Sequence, residues 1–302
     1  MKRPASPSDR SGAVSPLIDG STRTAVVFGH PVEHSLSPAM HNAAYRALGM
    51  NRIYLACDVT IDQLPQALRG VAALGFAGVN LTVPHKQVAL RVVRDLSAEA
   101  RILGAANCIV PRKGGLFGDN TDARGLERDL REQNVKIAGK TAVLIGAGGA
   151  AGAAALTLMR LRARRIVVVN RTPARARAMV RQLAKSTAAS AAFEVRGLDA
   201  LGDRDLIAGA SIIVNATPLG LGGGKFPPLN YATARPDCLF YDLIYASRPT
   251  PFLAPAIKLG LRTSDGAGML LHQGVLAFRL FNGVSAPIEV MRQALLERLG
   301  RA

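Results

Sequence analysis

The sequence predicts an α/β protein with two domains. Its 302 residues, of which 49% are hydrophobic and 20% charged, suit one large or two ordinary globular domains. From residue 140 onward, short apolar runs alternate with helix-like segments, and this alternation implies a parallel sheet with helices on both faces. No apolar run approaches the roughly 18 residues that a membrane helix needs, so no membrane association is predicted.

The first half of the chain contains both short β-type runs and segments whose apolar residues recur every three or four positions. Strands are predicted at TAVVFG, RIYLACDV, AGVNLTV and ANCIVPR. Helices are predicted at PAMHNAAYRALGM, IDQLPQALRGVAAL, HKQVALRVVRDL and SAEARILGA. The turn-rich segment GLFGDNTD then leads to the helix ARGLERDLREQN, which Asp122 can cap.

In the second half, strand, turn and helix follow one another twice, at KTAVLIGAGGAAGAAALTLMRL and RRIVVVNRTPARARAMVRQLA. Further strands are predicted at AAFEVRG, SIIVNATP and CLFYDLIY. Two helices end the chain, GMLLHQGVLAFRLFNG and PIEVMRQALLERLG. They have no strands of their own to cover, so we expect them to pack back across a domain boundary.

These elements divide the chain into three parts. Residues 1–23, rich in Pro and Ser, are predicted to be a disordered basic tail that lacks the apolar segment of a signal peptide. Residues 24–125 form the first domain, which the helices of residues 268–302 complete. Residues 126–267 form the second domain.

The formal net charge of +17 raises the question of a nucleic-acid partner. A nucleic-acid-binding face would place aromatic residues among its Lys and Arg side chains. This sequence has no Trp and 5% aromatic residues, and its Arg residues are spread along helix-like segments. The charge therefore indicates solvated helix faces or the attraction of small anionic ligands, and no nucleic-acid partner is predicted.

The three cysteines, Cys57, Cys108 and Cys238, are scattered in apolar surroundings without a CxxC motif. This spacing predicts neither a disulfide framework nor a metal site. Reduced core thiols are typical of a cytoplasmic protein, and that location is predicted.

The segment GAGGAA (146–151) follows a β-type run and opens an Ala-rich helix, which is the context that the dinucleotide fingerprint requires. Gly146 permits the tight turn, Gly148 lets the backbone approach a pyrophosphate, and Ala151 fills the third, close-packing position. The helix N-terminus, with Ala147, Gly149 and Ala150, offers free N–H groups and the positive end of its dipole to phosphates. The second domain is therefore predicted to be a Rossmann domain.

The end of the next strand indicates which dinucleotide binds. An NAD site would place Asp or Glu there for the ribose hydroxyls. This sequence has Asn170, Arg171 and Thr172 at the strand tip and Arg175 one turn later, with no carboxylate between Arg165 and Lys185. Because guanidinium groups match the oxygens of an adenosine 2′-phosphate, the pattern favours NADP over NAD.

Polar residues end the strand in GVNLTVPHK (78–86), where a buried strand could be apolar throughout. Asn80 and Thr82 share one face at period two, Pro84 stops the strand, and Lys86 opens the next segment. The pattern fits a strand tip that faces a site, or a strand end with a capping Thr and a solvated Lys.

Nine segments together resemble the shikimate dehydrogenases of the aromatic amino acid pathway. In chain order they are GHPVEHSLSPAMHN, GVNLTVPHK, GAANCI, GDNTDARG, GAGGAA, NRTPAR, NATPLG, DLIY and GMLLHQ. They span nearly everything after the tail. The resemblance implies an α/β substrate domain, a Rossmann parallel-sheet NADP domain and a cleft that separates them. It also implies the reversible NADPH-dependent reduction of 3-dehydroshikimate to shikimate in chorismate biosynthesis.

The resemblance also implies the residues that bind the small-molecule substrate, a cyclic carboxylate with three hydroxyls. Ser35 and Ser37 match the pair that holds the carboxylate, although simple N-capping of the following helix is an alternative. Thr82, Asn107 and Gln273 match positions that hydrogen-bond the substrate. Asn80 is expected to support them. Tyr245 matches a residue that borders both substrate and cofactor, whereas His85 and His272 are expected to be structural.

Lys86 and Asp122 are predicted to carry the proton transfer. Reduction of a ketone needs a proton at the developing alkoxide, and a lysine there serves as general acid and electrostatic partner. Burial lowers the pKa of a lysine and an opposing carboxylate raises it, and the sequence leaves open which effect is larger. Asp122 is expected to orient both the substrate hydroxyl and Lys86.

Later segments are expected to bind the cofactor. Ala216 and Thr217 follow an apolar strand, so their loop lies at the carboxyl ends of the strands, where dinucleotides bind. Gly268 and Met269 begin the next helix and by resemblance lie near the nicotinamide. Leu243 and Gly266 are also expected to bind the cofactor. After NATPLG the chain reads LGGGKFPPLN, without the Met that the family would have next, so the contacts of that loop depart from the pattern.

Alternative functions stay open at this point. A quinate/shikimate dehydrogenase would accept a broader substrate range or NAD. A non-catalytic NADP-binding regulator would be expected to lose Lys86 or Asp122 first. A serine hydrolase is disfavoured because no GxSxG elbow occurs. The sequence is compatible with a monomer or a homodimer.

Overall fold

The computed structural model of the protein describes residues 18–186, 191–221 and 224–301. Two six-stranded sheets with helices around them, and a cleft lined from both, confirm the predicted α/β class. Most of the predicted tail, residues 1–17, lies outside the described residues. The end of that tail is not disordered as predicted, because Asp19 accepts hydrogen bonds from Ser21 and Asn51 and the first strand begins at Arg23.

The first sheet is mixed. Its strands are β1 (Arg23–Gly29), β2 (Arg52–Asp58), β3 (Gly78–Leu81), β4 (Asp95–Leu96), β5 (Cys108–Arg112) and β6 (Gly115–Asp119). They lie in the order β2-β1-β3-β5-β6-β4, and β5 runs antiparallel to both of its neighbours while the other pairs are parallel. The helices that connect them are α1 (Ser37–Ala47), α2 (Leu64–Ala73), α3 (His85–Val88) and α4 (Ala98–Leu103).

Two local predictions in this sheet were wrong. The segment GLFGDNTD is mostly the strand β6 rather than a turn, because it forms a hairpin with β5 through five residue pairs. The predicted helix HKQVALRVVRDL ends at Val88, continues as one 3₁₀ turn, and then enters β4. Asp95 pairs with Phe117 of β6, so a strand contact overrides the helical pattern of the sequence.

The second sheet is parallel throughout, as predicted. Its strands are β7 (Thr141–Ile145), β8 (Arg165–Val169), β9 (Ala192–Arg196), β10 (Ala210–Asn215), β11 (Leu239–Asp242) and β12 (Arg262–Ser264), in the order β12-β11-β10-β7-β8-β9. Its helices are α5 (Asp122–Glu132), α6 (Gly149–Arg160), α7 (Pro173–Ser186), α8 (Arg204–Gly209) and α9 (Leu253–Lys258). The strand order reverses between β7 and β10, which is the switch point where open parallel sheets bind ligands. The short elements β12, α8 and α9 were not predicted.

The last two helices, α10 (Ala267–Asn282) and α11 (Ile288–Arg298), pack on the first sheet. Phe278 and Phe281 of α10 are buried with Tyr54 of β2, and Met291 of α11 lies in the same core. Burying one such aromatic side chain contributes roughly 1.5–3 kcal/mol relative to its exposure. The chain therefore returns to the first sheet after building the second, while α5 spans the boundary predicted at residues 125 and 126.

None of the helices in the described ranges is both long enough and apolar enough to cross a membrane.

A histidine without a polar partner lies in the core of the first sheet. Both ring nitrogens of His41 in α1 are buried, and neither has a hydrogen-bond partner among the described residues. The ring stacks on Tyr54 with 4.2 Å between the centroids. Burial lowers the pKa of His41 from 6.5 to about 3. The ring is therefore neutral in the folded protein at all but strongly acid pH.

Acid is expected to destabilise the fold through this side chain. Between pH 6.5 and about 3 the unfolded chain binds a proton that folded His41 does not, so stability falls as the pH falls. The slope is roughly 1.4 kcal/mol per pH unit, so the wild type is expected to lose about 2 kcal/mol more than a His41→Leu variant between pH 7 and pH 5. Urea unfolding of both proteins at the two pH values measures the difference. Equal losses would contradict the prediction.

Candidate active site

A cleft of about 200 Å³ lies between the two sheets. It is lined by all eight residues predicted to bind substrate, namely Ser35, Ser37, Thr82, Lys86, Asn107, Asp122, Tyr245 and Gln273. From the side of the second sheet it is lined by four residues predicted to bind the cofactor, namely Ala150, Leu243, Gly266 and Met269. The structure thus brings together residues from distant segments of the chain.

The direction of β5 explains how three of these segments meet. Thr82 follows the end of β3, Asp122 follows the end of β6, and Asn107 precedes the start of β5. Because β5 is antiparallel to both neighbours, its first residue, Cys108, pairs with Asn80 on one side and with Asp119 on the other. The polar strand ends therefore lie at one edge of the sheet.

Lys86 and Asp122 form an ion pair at the base of the cleft. The Lys86 Nζ lies 2.7 Å from Asp122 Oδ2, and the two side chains are 27% and 8% exposed. The other carboxylate oxygen, Oδ1, accepts a hydrogen bond of 2.7 Å from Asn107 Nδ2. The backbone carbonyl of Lys86 accepts a bond of 2.8 Å from Ala106 N–H, which ties α3 to the residue before Asn107.

The suggestion that Asp122 caps a helix was wrong. Asp122 is the first residue of α5 and Thr121 precedes it, with no side-chain cap at that end. The carboxylate instead bonds Lys86 and Asn107, while the backbone N–H of Asp122 donates to Asn120 Oδ1 at 3.0 Å. Both carboxylate oxygens are thus directed toward the cleft residues rather than toward the helix backbone.

Ser35 and Ser37 lie at the start of α1. The only bond between them joins the Ser37 N–H to Ser35 Oγ at 3.4 Å. Simple N-capping, the alternative role, is not observed, because Leu36 occupies the capping position and no side chain caps the helix. The hydroxyl groups line the cleft instead.

Asn80 also lines the cleft, although the sequence indicated only a supporting role. Its Oδ1 accepts a bond of 2.7 Å from the Tyr54 hydroxyl, and its Nδ2 donates to the Asn107 carbonyl at 3.2 Å. Asn80 therefore both faces the cleft and holds Asn107. Its period-two spacing with Thr82 is the sequence signal for this placement.

Close packing of α5 on α10 places Gln273. A Cβ at Gly125 would lie 2.8 Å from the backbone nitrogen of Gln273, so only glycine allows this approach. The Gln273 side chain donates to the Leu270 carbonyl at 2.8 Å, within its own helix. Tyr245 lines the same cleft, and burial raises the pKa of its hydroxyl.

The two histidines that were expected to be structural form hydrogen bonds with other elements of the fold. His85 Nε2 lies 2.7 Å from the Val59 carbonyl, and burial lowers the pKa of His85. His272 Nε2 lies 2.7 Å from Glu132 Oε2. Neither ring is among the residues that line the cleft.

The glycine-rich turn lies beside the cleft and fits a dinucleotide. Gly146 has a φ of +118°, and a Cβ there would lie 2.9 Å from the Ala216 carbonyl oxygen. Gly148 and Gly149 are exposed with open space around them at the start of α6, while Ala151 is fully buried. Free N–H groups at this helix end are therefore accessible to a pyrophosphate.

A second cavity of about 240 Å³ lies at the same turn. It is lined by four more of the predicted cofactor residues, Ala147, Gly148, Gly149 and Arg175. The other predicted residues at the tip of β8, Asn170, Arg171 and Thr172, line neither of these two cavities.

The tip of β8 remains open to a phosphate. Asn170 Nδ2 donates to the Thr172 carbonyl at 2.8 Å, which shapes the turn. Arg171 and Arg175 are exposed, and neither forms an ion pair with any residue that the structure describes. Two guanidinium groups are thus free to bind an adenosine 2′-phosphate.

The loops after β10 and β11 are joined by Asn215 and Asp242. Asn215 Nδ2 donates to Asp242 Oδ1 at 2.9 Å, and Asn215 Oδ1 accepts from the backbone N–H and hydroxyl of Thr217. Burial raises the pKa of Asp242 to about 6. This pair holds Ala216, Thr217 and Leu243 at the switch point. The sequence did not identify Asp242, because nothing local shows that an acidic residue after an apolar run bonds to a neighbouring strand.

Comparison with known proteins agrees with this geometry. Residues 27–109 match the shikimate dehydrogenase substrate binding domain, residues 129–218 match shikimate / quinate 5-dehydrogenase, and residues 266–296 match the shikimate 5′-dehydrogenase C-terminal domain. A shikimate dehydrogenase (NADP(+)) of Desulforamulus reducens is 42% identical over 287 residues, which cover 94% of this chain and 98% of that protein.

Solved structures are also similar. A shikimate dehydrogenase in complex with NADP+ superimposes with a TM-score of 0.83 and 35% identity, covering 95% of this chain and 99% of that one. A quinate dehydrogenase from Corynebacterium glutamicum in complex with NAD has a TM-score of 0.82 and 32% identity, covering 91% and 99%. The matched domains, the near-complete coverage and the cleft residues lead to one conclusion: this chain belongs to the shikimate dehydrogenase family.

Proposed function

We propose that this protein is an NADP-dependent shikimate dehydrogenase, which catalyses the reversible reduction of 3-dehydroshikimate to shikimate in the biosynthesis of chorismate and the aromatic amino acids. The single observation that carries the proposal is the Lys86–Asp122 ion pair of 2.7 Å in a cleft lined by hydroxyl and amide side chains. Family membership supports it. A regulator without catalysis would have no need to keep this pair together.

The first-sheet side of the cleft suits a polyhydroxy carboxylate. Ser35 and Ser37 hold the carboxylate through their hydroxyls, at the open start of α1. Thr82, Asn107 and Gln273 bond the ring hydroxyls or the carboxylate. A site with several fixed hydrogen-bonding groups discriminates strongly, because a substrate that lacks one partner leaves a buried polar group unpaired.

Lys86 delivers the proton. Its ammonium group donates to the ketone oxygen as negative charge develops there, which stabilises the alkoxide and then protonates it. Asp122 holds Lys86 from the other side and accepts a bond from the neighbouring hydroxyl of the substrate. Asn107, bonded to Asp122 Oδ1, fixes the orientation of that carboxylate.

NADPH supplies the hydride when it is bound. The start of α6, with Ala147, Gly148, Gly149 and Ala150, would hold its pyrophosphate, and Gly146 and Ala151 shape this turn. Residues at the tip of β8 would hold the adenosine 2′-phosphate: Asn170, Arg171, Thr172 and Arg175. The nicotinamide half would lie against Ala216, Thr217, Leu243, Tyr245, Gly266 and Met269.

The test is the initial rate of dinucleotide reduction at 340 nm, with shikimate and quinate each crossed with NADP+ and NAD+. The proposal requires shikimate with NADP+ to have the highest kcat/KM. If quinate or NAD+ gives the highest kcat/KM instead, the protein is a quinate/shikimate dehydrogenase. A folded protein that binds NADP+ but turns over none of the four pairs would indicate a regulator.

We also propose a cytoplasmic location for this enzyme. The three cysteines are free thiols, which is typical of proteins in a reducing compartment. A monomer or a homodimer remains the prediction for its assembly. We assign residues 24–125 with 268–302 to the substrate domain and residues 126–267 to the NADP domain.

A further inference from the structure

An arginine outside the cleft holds the loop that leads into Asp122. Arg124 is the third residue of α5, and its Nη2 donates to Asp119 Oδ2 at 2.5 Å and to the Asn120 carbonyl at 3.2 Å. Its Nε lies 3.4 Å from Glu99 Oε2. One guanidinium therefore bonds two successive residues of the loop 119–122 and contacts a carboxylate of α4.

Hydrogen bonds within this loop connect Arg124 to the ion pair in the cleft. Asn120 Oδ1 accepts the backbone N–H of Asp122 at 3.0 Å, and Asn120 Nδ2 donates to the Ala105 carbonyl at 2.9 Å. A further backbone bond joins this loop to Asn107, because the Asp119 carbonyl accepts a bond of 3.0 Å from the Asn107 N–H. Arg124 is thus two hydrogen bonds away from the backbone of Asp122.

The charges around Arg124 are buried. Asp119 is 4% exposed and Glu99 is 7% exposed. Glu99 has a second cation, because Arg160 at the end of α6 donates to its Oε2 at 2.8 Å. Asp119 has no other cation among the described residues, and its remaining partners are the Ser97 hydroxyl and the Asn120 N–H. Loss of Arg124 would therefore leave Asp119 as the unpaired buried charge.

We propose that Arg124 is a positioning residue for the reaction, which sets the backbone of the loop 119–122 and through it the orientation of the Asp122 carboxylate toward Lys86. The inference rests on the proposed function. Misplacing a reacting group by a fraction of an ångström up to about 1 Å lowers turnover by up to roughly 100-fold. If Arg124 did no more than neutralise Asp119, its loss would lower stability. A variant that also lacks the Asp119 charge would then have wild-type turnover.

The experiment compares Arg124→Leu with the double variant Asp119→Asn/Arg124→Leu. The double variant removes the unpaired carboxylate along with its cation. The matched control is Arg131→Ala, further along α5, where the arginine pairs with Glu127 at 2.6 Å and is 65% exposed. For each protein we would measure the melting temperature, kcat with shikimate, KM for NADP+ and hydrogen–deuterium exchange of the segment 119–124.

Positioning predicts that the double variant regains the melting temperature lost by Arg124→Leu, while its kcat stays roughly ten- to hundred-fold below wild type. KM for NADP+ is expected to stay within about two-fold, since α6 keeps its own bond to Glu99. Exchange at 119–124 is expected to be faster in both variants and unchanged in Arg131→Ala.

If the double variant recovers the wild-type kcat together with the wild-type melting temperature, the inference is overturned. Wild-type kcat in Arg124→Leu, or unchanged exchange in both Arg124 variants, would also overturn it. If the wild type itself does not turn over shikimate, the proposed function fails. In that case hydrogen–deuterium exchange still tests whether Arg124 holds the loop 119–122.

Discussion

Replacing Lys86 by methionine is expected to lower kcat for shikimate oxidation by roughly 100- to 10,000-fold, the range of a positioned general acid or base. The ammonium is 2.7 Å from Asp122 Oδ2, and in the proposed reaction it protonates the alkoxide. Methionine keeps the length of the side chain but supplies no proton and no charge. Stopped-flow or steady-state absorbance at 340 nm measures the loss.

Two controls separate chemistry from folding in this experiment. Lys113→Ala removes an exposed lysine from the turn between β5 and β6, at the far end of the sheet from Asn107, and is expected to retain wild-type kcat. Calorimetric binding of NADP+ to Lys86→Met is expected to match wild type, because Lys86 lies on the side of the cleft that we propose binds the substrate. A Lys86→Met protein that binds NADP+ and retains more than about a tenth of wild-type kcat would remove Lys86 from the proton-transfer role.

Replacing both Arg171 and Arg175 by alanine is expected to reverse the cofactor preference. Each charge-assisted hydrogen bond contributes about 1.5–3 kcal/mol, so the pair is expected to raise KM for NADP+ by at least roughly 100-fold. NAD+ has no 2′-phosphate, so its kinetic constants are expected to change little. The ratio of kcat/KM for NADP+ and NAD+, with shikimate saturating, is the quantity to measure.

The matched control for this pair is Arg181→Ala. Arg181 is also exposed on α7, but it lies further from the tip of β8, so the ratio is expected to stay at the wild-type value. A double variant that still prefers NADP+ as strongly as wild type would show that other groups bind the 2′-phosphate. The open surface at this tip offers no carboxylate between Arg165 and Lys185 that would favour NAD+.

Much of the second sheet could be predicted because its signals are local. The run TAVLI, the turn GAGG and the Ala-rich helix follow one another without a break, and the structure has β7, the turn and α6 at these positions. The requirement for glycine at Gly146 arises from its own φ of +118° as well as from a neighbouring loop. A turn of this kind can be predicted from adjacent residues, because its backbone conformation itself requires glycine.

The first sheet was predicted less well because its signals are not local. The strand β6 carries two glycines and an acidic end, which is typical of a turn, and becomes a strand through its five pairs with β5. The strand β4 has two residues and exists through its pairing with β6. In both cases pairing with another strand overrides a weak local propensity.

By itself, the sequence determined the α/β class, the dinucleotide turn, the arginines at the tip of β8 and, through resemblance, the polar residues of the cleft. Only the tertiary structure decided how they meet: Lys86 and Asp122 are 36 positions apart, and Asn107 lies between them in the chain. Their contact depends on an antiparallel β5 between β3 and β6. The contact requires β3, β5 and β6 to pair in one sheet, and no single segment of the sequence specifies all of these pairings.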